Sequence, residues 1–226
     1  MMLKQPTTAV LSRLPKTCWP SDIFHQAPAA QTIRFVRTPS LHPSGQAVVH
    51  FATSTEAQAW ANVASSVRIG GEPISATLYD TDQLASYVRE MYARVPRDVV
   101  AVMDMIAAEP MHSVLLRNIP FHTTADKLTK KLQRSYSLAP TKNTQLVSWH
   151  LTNMLGYEMP KGPWDSIVKI PHQDPESTSA WFLVRLQSVS EAMRLVRSWH
   201  RTRFLPQKFT LAHTGDRYVV EAQLMY

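Results

Sequence analysis

Apolar and polar side chains alternate with a period of two in eight short stretches of this chain, and most of the segments between them carry helical spacing. In residues 8–14, Ala9 and Leu11 fall on one face of a strand, with Val10 and Ser12 on the other. Pro15 ends that strand, and Pro20 is placed to open a short helix over 21–26 that buries Ile23 and Phe24. Residues 32–37 form a second strand with Ile33 and Phe35 inward and Arg34 outward. A turn over 38–45 leads to a third strand at 46–51. Ser54 is the expected N-cap of a helix to about Ala64, burying Ala57, Trp60, Ala61 and Ala64. A Gly70-Gly71 turn then precedes a last strand at 74–78. The order is β-α-β-β-α-β.

Residues 80–110 read as two helices. Leu84, Val88, Met91, Tyr92 and Val95 make one stripe, Pro96 breaks the chain, and a second apolar helix covers 99–108 before Pro110. The first order then repeats. The strand at 114–119 turns Val114 and Leu116 inward and Leu115 and Arg117 outward. Thr123 or Thr124 caps a helix through Ser137, buried through Ala125, Leu128, Leu132 and Tyr136. An insertion at about 139–165, with Trp149, Tyr157 and Trp164, has no readable pattern. Further strands at 167–170 and 179–186 flank a polar loop at 172–178. A helix from Ser190 to about Arg201 carries Val196, Met193 and Ala192 inward, with Val189 just ahead of it, and 218–224 closes the set.

In residues 179–186, Ala180, Phe182, Val184 and Leu186 share an apolar face. Ser179, Trp181, Leu183 and Arg185 share the other. An exposed Trp beside an Arg is a surface on which a base stacks and a phosphate is held. The same pattern also fits a strand buried on both faces.

Charge sharpens the division of the chain. The net charge is +7, from 24 Lys+Arg against 17 Asp+Glu. Residues 1–78 hold six basic and three acidic side chains, 79–112 three and six, and 113–226 fifteen and eight. The boundaries are thus a first module at 1–78, a helical linker at 79–112 and a second module at 113–226. The positive excess suits a polyanion, nucleic acid above all. Apolar residues at 44% exclude a disordered chain, and a single cysteine, Cys18, excludes an internal disulfide framework. No Cys/His spacing fits a metal, no cofactor is implied, and no apolar run nears the ~18 residues of a membrane span. The chain reads as a soluble protein of a reducing compartment.

Two such modules resemble tandem RNA-recognition motifs. The family's short signature is matched by Val114-Leu115-Leu116-Arg117-Asn118-Ile119 and its long one by residues 179–186; in the first module 9–14 and 44–51 correspond, with Gly45 and Phe51 fitting. The resemblance implies an α+β fold of two ferredoxin-like β-α-β-β-α-β sandwiches and a non-catalytic RNA-binding role. That role lies in RNA processing, ribonucleoprotein assembly or translation, with RNA and other proteins of such a complex as partners. The usual three sheet aromatics are reduced to Trp181, with Leu183 and Leu115 at the other two positions. The first module has Gln46, Val48 and Val10 instead.

The candidate RNA contacts are therefore Trp181 as the stacking residue, Arg117 and Arg185 for phosphate or a base edge, Leu115 and Leu183 for apolar contact, and Asn118 in the signature. Two basic helix stripes add to them: Lys127, Lys130, Lys131 and Arg134, and Arg194, Arg197 and Arg201. These lie behind the sheet, either as solvated faces or as phosphate contacts. The competing expectation is a protein-interaction module, a scaffold subunit docking through exposed Leu115, Leu183, Val10 and Val48. No nucleophile elbow, phosphate loop or catalytic carboxylate pair is present, so an enzyme is not expected. The acid-poor first 50 residues, with Asp22 alone, resemble a mitochondrial transit peptide, with nucleus or cytoplasm as alternatives.

Overall fold

The alternating stretches become two four-stranded antiparallel sheets, each backed by two helices on its apolar face. The computed structural model describes residues 6–140, 154–155, 165–170, 176–204 and 218–226. The expected insertion at 139–165, with its three aromatics, lies almost wholly outside these residues. So do residues 172–175 of the expected polar loop, and the first five residues.

The chain divides between Pro96 and Arg97. The first unit contains β1 (Thr8–Ser12), α1 (Pro20–Gln26), β2 (Ala30–Arg37), β3 (Pro43–Phe51) and α2 (Ser54–Ala64). A small hairpin of β4 (Arg68–Ile69) and β5 (Glu72–Pro73) follows, then β6 (Ser75–Tyr79) and α3 (Thr81–Tyr92). The sheet order is β2-β3-β1-β6. Ala9 and Leu11 from β1 meet Ala47, Val49 and Phe51 from β3, and α1 and α2 add Ile23, Ala57 and Trp60 to this core. Phe24, expected inside, is 39% exposed, because the seven-residue α1 turns only Ile23 fully inward. The α2 cap is Thr53, one residue earlier than expected. Its side chain accepts from the Glu56 N–H at 3.2 Å while Glu56 accepts from the Thr53 N–H at 3.1 Å. Gly45 adopts a φ of +83°, where a Cβ would lie 3.1 Å from the Leu14 carbonyl oxygen; that close approach lets the Leu14 N–H reach the Gly45 carbonyl.

The other sheet face of this unit is not open. Val10 and Val48 are buried, and α3 reaches the sheet through Tyr87, whose hydroxyl donates to Gln46 at 3.0 Å. Burial pushes that phenol up to about 12. An Asp80 capping box starts α3: the carboxylate accepts from the N–H groups of Asp82 and Gln83, and Gln83 accepts from the Asp80 N–H.

The second unit contains α4 (Arg97–Ala108), β7 (Ser113–Pro120), α5 (Ala125–Leu132), β8 (Ile167–Ile170), β9 (Ser179–Arg185), α6 (Val189–Trp199) and β10 (Glu221–Met225). Its sheet order is β10-β7-β9-β8. Phe182, Val184, Val114 and Leu116 form the sheet side of the core, and Leu128, Leu132, Ala192 and Leu195 the helix side. Leu195 is fully buried on α6, where Val189, Met193 and Val196 are only partly so. The expected 79–112 linker is shared between the units, α3 in the first and α4 in the second. Both units keep the β-α-β-β-α-β order, and the fold is α+β as the alternation predicts.

His50 gives the first unit a pH dependence. Its Nδ1 lies 2.9 Å from the Thr8 hydroxyl, and burial, aided by the Arg34 charge, lowers its pKa to about 4. The unfolded chain then binds more protons than the folded one between pH 6.5 and 4. The stability is complete above pH 6.5 and is lost as pH falls through this window. Urea unfolding at pH 7 and pH 5 should show wild type losing about 2 kcal/mol more than His50→Gln. Equal losses would contradict this assignment.

Candidate nucleic-acid interface

Strand pairing in the second unit brings the expected contact residues onto one sheet face. Leu115 lies opposite Leu183, Ser113 opposite Arg185, Ile170 opposite Trp181 and Glu221 opposite Arg117. The alternation thus places these side chains on the face it predicts. Their exposure differs from the expectation.

Leu115 and Leu183 are fully buried, as are Ile170 and Met225 on the flanking strands. Helix α4 lies against β8, and its own side chains from Val99 to Ile106 are buried. A leucine in this setting gains burial energy that an exposed aromatic would not, so the leucines at the two aromatic positions belong to a second apolar layer. Arg185, expected to hold phosphate, is 1% exposed and forms an ion pair with Glu109 at 2.8 Å, just beyond the end of α4. These three residues have no surface to offer RNA here. The same burial, with that of Val10 and Val48, removes the exposed apolar surface on which a protein-docking role was expected to rest.

The face remains accessible toward the other end of β9. Trp181 is partly exposed, but Arg117, expected to hold phosphate or a base edge, is itself buried, with 9% of the residue exposed and its guanidinium 5.0 Å from the centre of the Trp181 ring. Burial lowers the Arg117 pKa, with the Glu221 carboxylate opposing that shift. Guanidinium pKa values start so high that the group stays charged. Asn118 serves the backbone rather than the surface: it sits at φ +59° in a register shift of β7, and its amide donates to the Val219 carbonyl at 2.9 Å.

The helix stripes are shorter than expected. Helix α5 ends at Leu132, so Arg134 stands in the following turn. Helix α6 ends at Trp199, where Thr202 donates to the Trp199 carbonyl through both its N–H and its hydroxyl. Arg201, at φ +61°, lies beyond that end, and its N–H goes to Val220. Lys131 is exposed along its length but lays its ammonium over two rings, 4.2 Å from the Phe204 ring centre and 5.2 Å from that of Trp199, and partial desolvation lowers its pKa. Arg194 pairs with Glu191 at 2.8 Å, donates to the Ser135 carbonyl and lies 4.8 Å from the Tyr136 ring. Lys127, Lys130, Arg134, Arg197 and Arg201 are exposed.

Two residues escaped the sequence reading. Phe121 is 46% exposed just after β7, and the Lys169 ammonium lies 4.4 Å from its ring. The available signal was an aromatic directly behind the strand-ending Pro120. Among the described residues no group of His, Cys, Asp and Glu is disposed to hold a metal ion, and no helix is long and apolar enough to cross a membrane.

No family model matches the chain, and no curated protein matches it. Solved structures do. RNA recognition domains 1 and 2 of Sex-lethal from Drosophila melanogaster are 12% identical, covering 96% of this chain and 99% of that one, with a TM-score of 0.30. The N-terminal three RNA binding domains of the yeast splicing factor Prp24 are 10% identical over 100% of this chain and 68% of that one, with a TM-score of 0.30. The Glorund qRRM2 domain is 18% identical over 39% of this chain and 97% of its own, with a TM-score of 0.32. The ferredoxin-like architecture of the two units rests on their own element and strand order.

The Arg185–Glu109 pair yields a stability test. Glu109→Ala leaves a buried guanidinium without its carboxylate and should cost about 3 kcal/mol in urea unfolding. The double variant Glu109→Leu/Arg185→Met should lie much closer to wild type. A Glu109→Ala protein as stable as wild type would show that the pair does not hold this face.

Proposed function

We propose that this chain is a non-catalytic RNA-binding protein that works in RNA processing, ribonucleoprotein assembly or translation, beside other proteins of such a complex. Its second unit contacts single-stranded RNA at the accessible end of the sheet. The observation that carries this reading is the Arg117–Trp181 pair, a partly exposed indole with a guanidinium 5.0 Å from its ring centre. The indole is the planar group on which an unstacked base rests, and the buried guanidinium behind it orients the ring and adds positive charge to the site.

The charge of +7 supports the same partner class. The exposed Lys127, Lys130, Arg134, Arg197 and Arg201 supply phosphate contacts behind the sheet, independent of base identity. Leu115, Leu183 and Arg185 act in this reading as the inner wall that holds β7 and β9 in register, and not as RNA contacts.

Binding of a fluorescent single-stranded RNA to the purified chain across a salt series tests the proposal. Trp181→Ala should weaken binding by about 1–3 kcal/mol at every salt concentration. Replacing Lys127 and Lys130 by glutamine should instead flatten the salt dependence, by about 0.7 in slope for each phosphate contact removed. Absence of RNA binding at low salt would overturn the proposal. Binding that ignores Trp181→Ala would remove the sheet from it.

A further inference from the structure

We propose that the strand ends of the second unit carry a second nucleotide site, built from Phe121 and Lys169, so that a bound RNA strand passes from Trp181 around the β8 edge. This rests on the RNA-binding reading above and names where the strand continues.

Pairing sets the geometry. Strand β8 is the edge of its sheet, and Ile170 lies opposite Trp181 while the preceding residue, Lys169, lies opposite Phe182. Neighbours on a strand point to opposite faces. Trp181 therefore stands on one side of the sheet edge, and the Lys169 side chain leaves from the other, one residue away along β8. There the Lys169 ammonium donates to the Phe121 carbonyl at 2.7 Å and lies 4.4 Å from the Phe121 ring centre. An ammonium has three donors, and this carbonyl takes one.

The backbone at Phe121 is fixed while its side chain stays exposed. Its N–H donates to the Thr178 carbonyl at 3.0 Å, and the Tyr218 hydroxyl donates to that same oxygen at 3.2 Å. The turn after β7 is thereby tied to the start of β9 and to the approach to β10. His122 stands edge-on to the ring at 5.8 Å between centres. With 46% of the residue exposed, Phe121 is the most open Phe or Trp among the described residues. A large exposed ring on an anchored turn, beside a cation, suits a stacked base with its phosphate on the ammonium. The requirement is the same as at Trp181, with the cation supplied by β8 in place of β7.

Affinity for oligouridylates of about three and about ten nucleotides separates the two sites. Phe121→Ala should weaken the longer oligomer at least about fivefold and leave the shorter one, held at Trp181, nearly unchanged. Phe121→Tyr should bind the longer oligomer like wild type, and Lys169→Gln should weaken it and flatten its salt dependence. Both side chains are at the surface, so thermal unfolding of each variant should match wild type. If Trp181→Ala weakens the longer oligomer while Phe121→Ala does not, this second site is wrong and the RNA-binding reading stands. If wild type binds neither oligomer, both fall.

Discussion

A guanidinium with 1% of its surface exposed sits on the outer face of a β-sheet, and that single fact constrains the rest of the second unit. A buried cation is tolerated only with a well-placed anion, and Glu109 supplies it at 2.8 Å from the segment that follows α4. The pair fixes where the chain enters the sheet. The Met111 N–H donates to the Met225 carbonyl and the Leu186 N–H to the His112 carbonyl, so the same segment is tied to β10 and to the end of β9. Under that constraint the middle of the face can be apolar. Leu115 and Leu183 then exchange a place in water for a place in a packed layer.

The consequence for recognition follows from geometry. A sheet whose outer face is closed at its centre keeps its accessible side chains at the strand ends. Trp181, backed by the buried Arg117, stands at the accessible end of the outer face, and Phe121 and Lys169 stand around the edge. The basic helix residues divide in the same way. All five of Lys127, Lys130, Lys131, Arg194 and Arg197 are exposed, but Lys131 and Arg194 are also engaged by aromatic rings. Under the proposed RNA-binding role, a surface of this kind would follow a strand's path and charge more than its bases.

Much of the fold was legible because alternation depends only on which side chains enter the core. Val114, Leu116, Phe182 and Val184 declare one face, and that face is the core. Boundaries set by local hydrogen bonding were less visible. The α2 cap is Thr53 rather than Ser54, since Glu56 completes the reciprocal pair only with Thr53, and α6 stops at Trp199 because Thr202 captures its last carbonyl. The site was legible in part. Period two placed Leu115, Leu183 and Arg185 opposite the core, but whether that side meets water depends on what covers it. The Glu109 partner of Arg185 is 76 residues away in sequence. Leucines at positions where the family carries aromatics were the trace of that cover, and two apolar faces on one strand were an open alternative from the start.

The most direct measurement is photo-crosslinking of a 4-thiouridine-substituted RNA to the intact chain, with the attachment sites located residue by residue by mass spectrometry. The account predicts crosslinks at Trp181 and at Phe121, and none at Leu115, Leu183 or Arg185. Crosslinks at the two leucines would mean that the sheet face opens to RNA, and would contradict the closed centre on which this account depends.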